Sequence, residues 1–462
     1  MATNVNALTK ETRDTFISSI RGTTVFQGEP GYEEACKVYN AMIRKQPGMI
    51  VKCVDVADVI NAVNFARQND LLVAVRGGGH NGGGLGICDD GLVIDLSGIK
   101  YIRVNKNDGT VRVGGGNTLA EVDHATHAFG LAIPAGIVSS TGVGGLTLGG
   151  GVGHLTRKYG LTIDSLLEAD MVLADGSFVT ASAQENSDLF WAIRGGGGNF
   201  GIITSFKFQA HLVKNVFGGP MLWPIERTKE IMEWYDKFID EAPDDVNGFF
   251  AEMIVPGAPF PAHLHNKKFC GIVWCCTLEP KEAEPMLKPA FDLDPVFQHV
   301  GEMPYPAIQS MFDGLLPPGL QWYWRADFFL ESTPESREKH LEFGSNIPTP
   351  LSQMHLYPVS GAASRVANDA TAWAYRDAKY AGVMVGVDPD PANADKITSW
   401  SKTYWDALHP FSMGGAYLNF MMNEGQDRIK ASFKGNYERL ANIKKKYDPQ
   451  NFFRVNQNIL PA

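Results

Sequence analysis

Glycine is concentrated in three stretches of this chain, and no other feature restricts its folding as much. The first is Arg76-Gly77-Gly78-Gly79-His80-Asn81-Gly82. The second runs from Gly142-Val143-Gly144-Gly145 through Gly149-Gly150-Gly151-Val152-Gly153-His154. The third is Arg194-Gly195-Gly196-Gly197-Gly198-Asn199-Phe200-Gly201. Fixing a glycine loses more chain entropy than fixing any other residue, so this density is unfavourable in ordinary helices and strands. What it provides is bare backbone, against whose N–H groups a ligand can lie. Three clusters within residues 76–201 therefore predict several backbone segments converging on one large ligand. His80 follows an apolar run at 71–75 that reads as a buried strand, and it stands where a ring of that ligand could reach it.

Two clusters match the spacing of the dinucleotide fingerprint, Gly77-x-Gly79-x-x-Gly82 and Gly196-x-Gly198-x-x-Gly201. Neither opens a helix with an acidic residue some 20 positions later, as the motif requires. Gly201 instead leads into 202–208, which alternates like a strand. A nicotinamide site of the Rossmann type is not expected.

The 462 residues are enough for two or three domains. A net charge of −10 argues against nucleic acid as a partner. No apolar stretch reaches membrane-spanning length, and the first residues lack a basic segment followed by an apolar core, so a cytoplasmic location is expected. The six cysteines have neither metal-ligand nor disulfide-framework spacing, and Cys275-Cys276 reads as core. His263-Leu264-His265 lacks a third ligand nearby, so no metal is expected. Lys444-Lys445-Lys446 reads as a solvated helix end. The oligomeric state is left open.

Along the chain, 55–69 and 119–125 read as helices, and 91–96 and 110–114 as strands. After residue 212 glycine thins and aromatics rise. Residues 321–329, 354–358 and 414–420 alternate like strands, while 226–241 and 391–408 read as helices. His355 and Tyr357 share one strand face, and Tyr417 and Asn419 share another. The expected class is α+β: a glycine-rich first domain over 1–212 with its core at about 46–212, a second domain over 213–420, and a C-terminal segment, 421–462.

These residues resemble the vanillyl-alcohol-oxidase superfamily of FAD enzymes, with its PCMH-type FAD-binding fold, and within it the berberine-bridge-enzyme-like group. The resemblance rests on the first glycine loop, on the second glycine cluster through Lys158-Tyr159-Gly160-Leu161-Thr162, and on Tyr447-Asp448-Pro449 with Asn451-Phe452-Phe453-Arg454. It implies an FAD domain built from the N-terminal half and the C-terminal tail, and a substrate domain whose antiparallel sheet roofs the flavin. It implies that His80 is joined covalently to the flavin 8α-methyl group, with Arg76, Gly77, Gly78, Gly79, Asn81 and Gly82 beside it. Val138, Ser140, Thr141, Gly142 and Gly145 would touch the cofactor, as would Gly149, Gly150, Gly153, His154 and Leu155. Gly201, Ile203, Asn456 and Asn458 complete the implied set. Doubly linked members carry a cysteine where this chain has Val138, so one covalent bond, to His80, is expected and none to sulfur. Cys88, eight residues after His80, reads as an ordinary loop cysteine.

Flavin oxidation of an alcohol needs the reacting carbon near flavin N5 and a group that takes the departing proton. Tyr417, Asn419, Tyr357 and His355 are the expected catalytic residues. An unperturbed tyrosine, with a pKa of about 10, is a poor base at neutral pH and needs neighbours that lower it. Trp322, Tyr323, Trp324, Trp373 and Tyr375 could line a pocket for a sugar or aromatic ring. The expected activity is oxidation of a small hydroxylated compound, with dioxygen as acceptor and hydrogen peroxide as product. By the resemblance, Thr141 sits where oxygen access is controlled. Oxidative cyclisation, a dehydrogenase using another acceptor, and a flavin-binding module without turnover are the alternatives.

Overall fold

The computed structural model describes residues 2–462. A four-stranded sheet carries the first glycine loop. Its order is Thr23–Phe26, Met49–Lys52, Leu92–Asp95, Val73–Arg76, and the last two pairings are parallel. Parallel neighbours need a crossover, which the helix Val56–Gln68 supplies. Asp55 caps that helix by accepting the Asp58 N–H at 3.1 Å. Val59, Ala62, Val63 and Ala66 form its buried stripe at helical spacing. Leu92–Asp95 is buried along its whole length, as a central parallel strand should be.

A five-stranded antiparallel sheet follows, in the order Ile102–Asn105, Thr110–Gly114, Ile202–Gln209, Leu166–Val172, Phe178–Ser182. The third glycine cluster therefore ends on the central strand of this sheet. Ile202–Gln209 buries Phe206 and Phe208, two residues apart on one face.

The second half of the chain builds an eight-stranded antiparallel sheet, whose centre is Lys268–Cys276, Val246–Ile254, Gln353–Pro358, Tyr380–Asp388 and Gln321–Phe329. Alternation divides its residues between two cores. Phe250, Met354, Leu356 and Met384 pack with Tyr235 and Tyr404 from the helices Thr228–Glu241 and Ala394–Leu408. Phe249, Ala251, Tyr357, Val383 and Val385 belong to the core shared with the glycine clusters. The sheet thus has helices on one face and the ligand-facing half on the other.

Two sequence expectations are corrected. Residues 414–420 do not form a strand: Gly414 turns the chain with φ +86°, and Leu418–Phe420 is a 3-10 helix. Lys444 is not solvated. It is fully buried, and its ammonium donates to Asp448 at 2.6 Å, to the Asn199 carbonyl at 2.7 Å and to the Phe453 carbonyl at 2.9 Å. That single side chain ties the end of the helix Tyr437–Tyr447 and the following tail to the third glycine cluster. Asp448 in turn accepts the backbone N–H groups of Phe452 and Phe453.

Candidate active site

The three glycine clusters and the eight-stranded sheet enclose one cavity of about 320 Å³. The first two clusters meet backbone to backbone: a Cβ on Gly78 would lie 2.5 Å from the Gly142 nitrogen. Gly149 is bare for a different reason, since a Cβ there would lie 2.2 Å from Asn419 Oδ1. Gly145 and Gly198 border the cavity and have nothing within 4 Å of a built Cβ, so their side of the chain is open to a ligand.

The first loop contributes Arg76, Gly77, Gly78, Gly79, His80 and Asn81 to the lining. The Arg76 guanidinium is committed to Asp95 at 2.7 Å and to the Ala35 carbonyl at 2.7 Å, which braces the loop. The His80 ring stacks on Tyr39 with centroids 3.7 Å apart. Surrounding protein lowers its pKa to about 4, so the imidazole is neutral at pH 7 and its nitrogen lone pair is available. Its Nε2 is enclosed without a hydrogen-bond partner.

Val138, Thr141, Gly142, Gly145 and Gly149 line the cavity from the second cluster, and Gly201, Ile203 and Asn456 from the third cluster and the tail. Gly82, Ser140, Gly150, Gly153, His154, Leu155 and Asn458 do not. Packing accounts for several of these. Gly82 makes room for the Trp324 indole, Gly150 for the Trp373 indole and Gly153 for the Ala135 carbonyl. His154 is buried near Phe249, with its pKa lowered to about 4 by that burial. Leu155 joins a separate core with Tyr305 and Ile308. Cys88 lies elsewhere, its thiol against the Leu72 and Leu92 carbonyls, and no cysteine among the described residues lines the cavity.

All four expected catalytic residues do line it. Tyr417 Oη accepts hydrogen bonds from Asn419 Nδ2 at 2.7 Å, Gly151 N–H at 3.0 Å and Val152 N–H at 3.3 Å. Three donors match the three lone pairs of a phenolate, whereas a neutral phenol offers two. Burial still pushes Tyr417 up to about 12, and the three donors pull it back from where burial alone would hold it. His355 Nδ1 meets Tyr357 Oη at 2.6 Å and its Nε2 meets Gln353 Oε1 at 3.0 Å. By that pattern Nε2 carries the proton and Nδ1 accepts the Tyr357 O–H. Burial lowers His355 to about 3 and raises Tyr357, so both are neutral at pH 7.

The pocket aromatics divide. Trp322 and Trp324 line the cavity. Tyr323, on the opposite strand face, lies under the Lys402 ammonium, and Trp373 and Tyr375 pack on Phe328. Tyr39, Leu316, Gln353 and Phe420 line the site without having been singled out in the sequence. Tyr39 sits in a stretch with no periodicity, and only folding brings it to His80. Gln353 had a signal, because it continues the period-two face of His355 and Tyr357.

The residues present fit FAD. His80 Nε2, Trp322 Nε1, Trp324 Nε1 and Asn456 Oδ1 are buried polar atoms without protein partners, and all four residues line the cavity. A large ligand with hydrogen-bonding groups would relieve their cost. Arg76 is the one ionic side chain in the lining and is already paired, so an anionic ligand would be held by the glycine backbone.

Comparison with known proteins agrees. Residues 47–182 match the FAD binding domain family, and residues 416–460 match the berberine and berberine like family. An FAD-linked oxidoreductase of Dictyostelium discoideum is 32% identical over 96% of each chain. The (R)-6-hydroxynicotine oxidase of Paenarthrobacter nicotinovorans is 35% identical over 44% of this chain and 45% of its own. The solved structure of BBE-like 1 from Physcomitrella patens superposes with a TM-score of 0.86 at 24% identity, covering 97% of this chain and 99% of that one. No described helix is long and apolar enough to cross a membrane.

Proposed function

This chain belongs to the berberine-bridge-enzyme-like FAD-linked oxidoreductases, and from that premise we propose that it oxidises a small organic alcohol, with its FAD bonded to His80. His80 and the three glycine clusters would hold FAD, which would supply the hydride acceptor and, with dioxygen as the final oxidant, the route to hydrogen peroxide. The observation that carries the reading is the three-donor environment of Tyr417 Oη on the cavity wall.

As tyrosinate, Tyr417 takes the hydroxyl proton as the hydride leaves, the substrate O–H displacing the longest of its three donors, the Val152 N–H at 3.3 Å. Asn419 and the Gly151 and Val152 N–H groups stabilise the charge that its oxygen carries. Tyr357, its O–H fixed on His355, presents a held aromatic face to the substrate from the same wall. Trp322, Trp324, Val383 and Val385 exclude water from the same face. His80 is suited to its bond because it is neutral, held in place by its stack on Tyr39, with Nε2 free of any protein partner. A single bond is supported by Val138 and by the absence of any cysteine from the lining among the described residues. Thr141, small and on the wall, leaves room for dioxygen.

We assign 1–212 and 421–462 to the FAD domain and 213–420 to the substrate domain. The buried Lys444 contacts between the tail and Asn199 support that division. The six unpaired cysteines support a reducing compartment such as the cytoplasm. The test is a panel of alcohols, with flavin bleaching followed without oxygen and peroxide measured with it. Bleaching by an alcohol, followed by one peroxide per turnover, is expected. No bleaching across sugars, aryl alcohols and alkyl alcohols would overturn the reading.

A further inference from the structure

A second, smaller cavity of about 40 Å³ adjoins the first, and Ile137, Leu316, Gln353 and His355 line both. Strand register explains the continuity. Trp324, Val385, Gln353 and Met253 form one cross-strand row on the cavity face, and Val383, His355 and Ala251 form the next. Each row starts in the large cavity and ends in the small one, with Gln353 or His355 between.

The far end is apolar. Phe249, Ala251, Met253, Phe312, Leu315 and Leu351 line it. Among its polar side chains, both His355 nitrogens are engaged, and Ser352 Oγ is held between Thr349 and the Val387 backbone. The Gln353 amide N–H is the one polar group left. A sugar unit placed here would bury several hydroxyls against groups that cannot answer them, which is costly. An apolar cavity of this kind stays dry and favours hydrocarbon.

We propose that the alcohol this enzyme takes carries a short alkyl arm, which passes His355 and is buried in the smaller cavity. The proposal rests on the alcohol-oxidase reading and specifies its substrate class. It distinguishes this site from one built for oligosaccharides.

The test is calorimetric titration of the FAD-loaded protein with benzyl alcohol and its 4-methyl, 4-ethyl, 4-propyl and 4-butyl derivatives, and with xylobiose. Affinity is expected to rise about three- to four-fold per methylene until the arm fills the cavity. Ala251→Leu should flatten that rise and leave benzyl alcohol unchanged. Leu351→Ala, at a half-buried loop position that tolerates truncation, should move the plateau to a longer arm. Affinity independent of arm length, an unchanged slope in Ala251→Leu, tighter binding of xylobiose than of every aryl alcohol, or no binding at all would each overturn the proposal. Calorimetry reads the arm whether or not turnover occurs. Length-dependent binding without flavin bleaching would sink the oxidase reading and keep the subsite. Bleaching without length dependence would do the reverse.

Discussion

Asn419 donates its amide to the Tyr417 oxygen at 2.7 Å, and the same nitrogen donates to the Leu146 carbonyl at 3.0 Å. The second bond fixes which end of the amide is nitrogen, so the first is a donation to the phenol oxygen. Gly149 is what lets Asn419 approach, since any side chain there would overlap its amide.

Tyr417→Phe should therefore slow flavin reduction by substrate by about 10²- to 10⁴-fold, the range of general-base catalysis, while FAD stays bound. Asn419→Leu removes one of three donors and raises the Tyr417 pKa further. Less tyrosinate is then present at a given pH, so the alkaline rise in reduction rate should move to higher pH. Anaerobic stopped-flow across pH 7–10 checks both. Wild-type rates in Tyr417→Phe would remove this residue from the chemistry.

Gly145→Val separates the fold from the ligand cradle. A Cβ at residue 145 meets no protein atom within 4 Å, so the variant should fold with an unchanged melting temperature when both proteins are compared in a His80→Ala background stripped of flavin. Its branched side chain projects into the cavity, and the flavin-to-protein absorbance ratio should fall sharply. A full flavin complement in Gly145→Val would show that the second cluster does not cradle the cofactor.

How far the sequence could be read depended on how local the determinants were. Glycine clusters and period-two strands are local signals, and they located the cavity walls and the face that His355 and Tyr357 share. Tyr417 and Asn419 came out as neighbours even though the strand drawn through them is a turn and a 3-10 helix. Alternation of apolar and polar residues does not register the positive φ of Gly414. Glycines 82, 150 and 153 look like cradle residues but serve tryptophan and carbonyl packing, a distinction that only tertiary contacts make. The three consecutive lysines look solvated, yet the tail folds back over Lys444.

Lys444→Met should expose how much that tail contributes. It leaves Asp448 charged and buried without its partner, which costs about 3–5 kcal/mol in comparable sites. The melting temperature should drop by several degrees, and the tail should become cleavable by protease near residue 450. A drop no larger than that of Lys445→Met, which serves as the neighbouring control, would contradict this.

Stability should peak near pH 6.5. His154, His340 and His355 have pKa values lowered to about 4, 3 and 3 by burial, and His211 to about 4. Below 6.5 the unfolded chain binds protons that the folded chain refuses, so stability is lost as pH falls. Asp123 and Glu252 are raised to about 8 by burial and stay protonated in the fold. Unfolding releases those protons, so stability is also lost as pH rises from 6.5 through 8. Between pH 4 and 6.5 the four histidines outweigh the two carboxyls. Melting temperature against pH tests this, and a monotonic rise from pH 5 to 9 would contradict it.

The central claim is that His80 carries the flavin, and it is tested most directly by precipitating the purified protein in acid and mapping the peptides of the pellet by mass. A yellow pellet, with the mass of FAD added to the peptide containing His80 and lost in His80→Ala, is the predicted result. Flavin left in the supernatant, or found on a cysteine peptide, would contradict it.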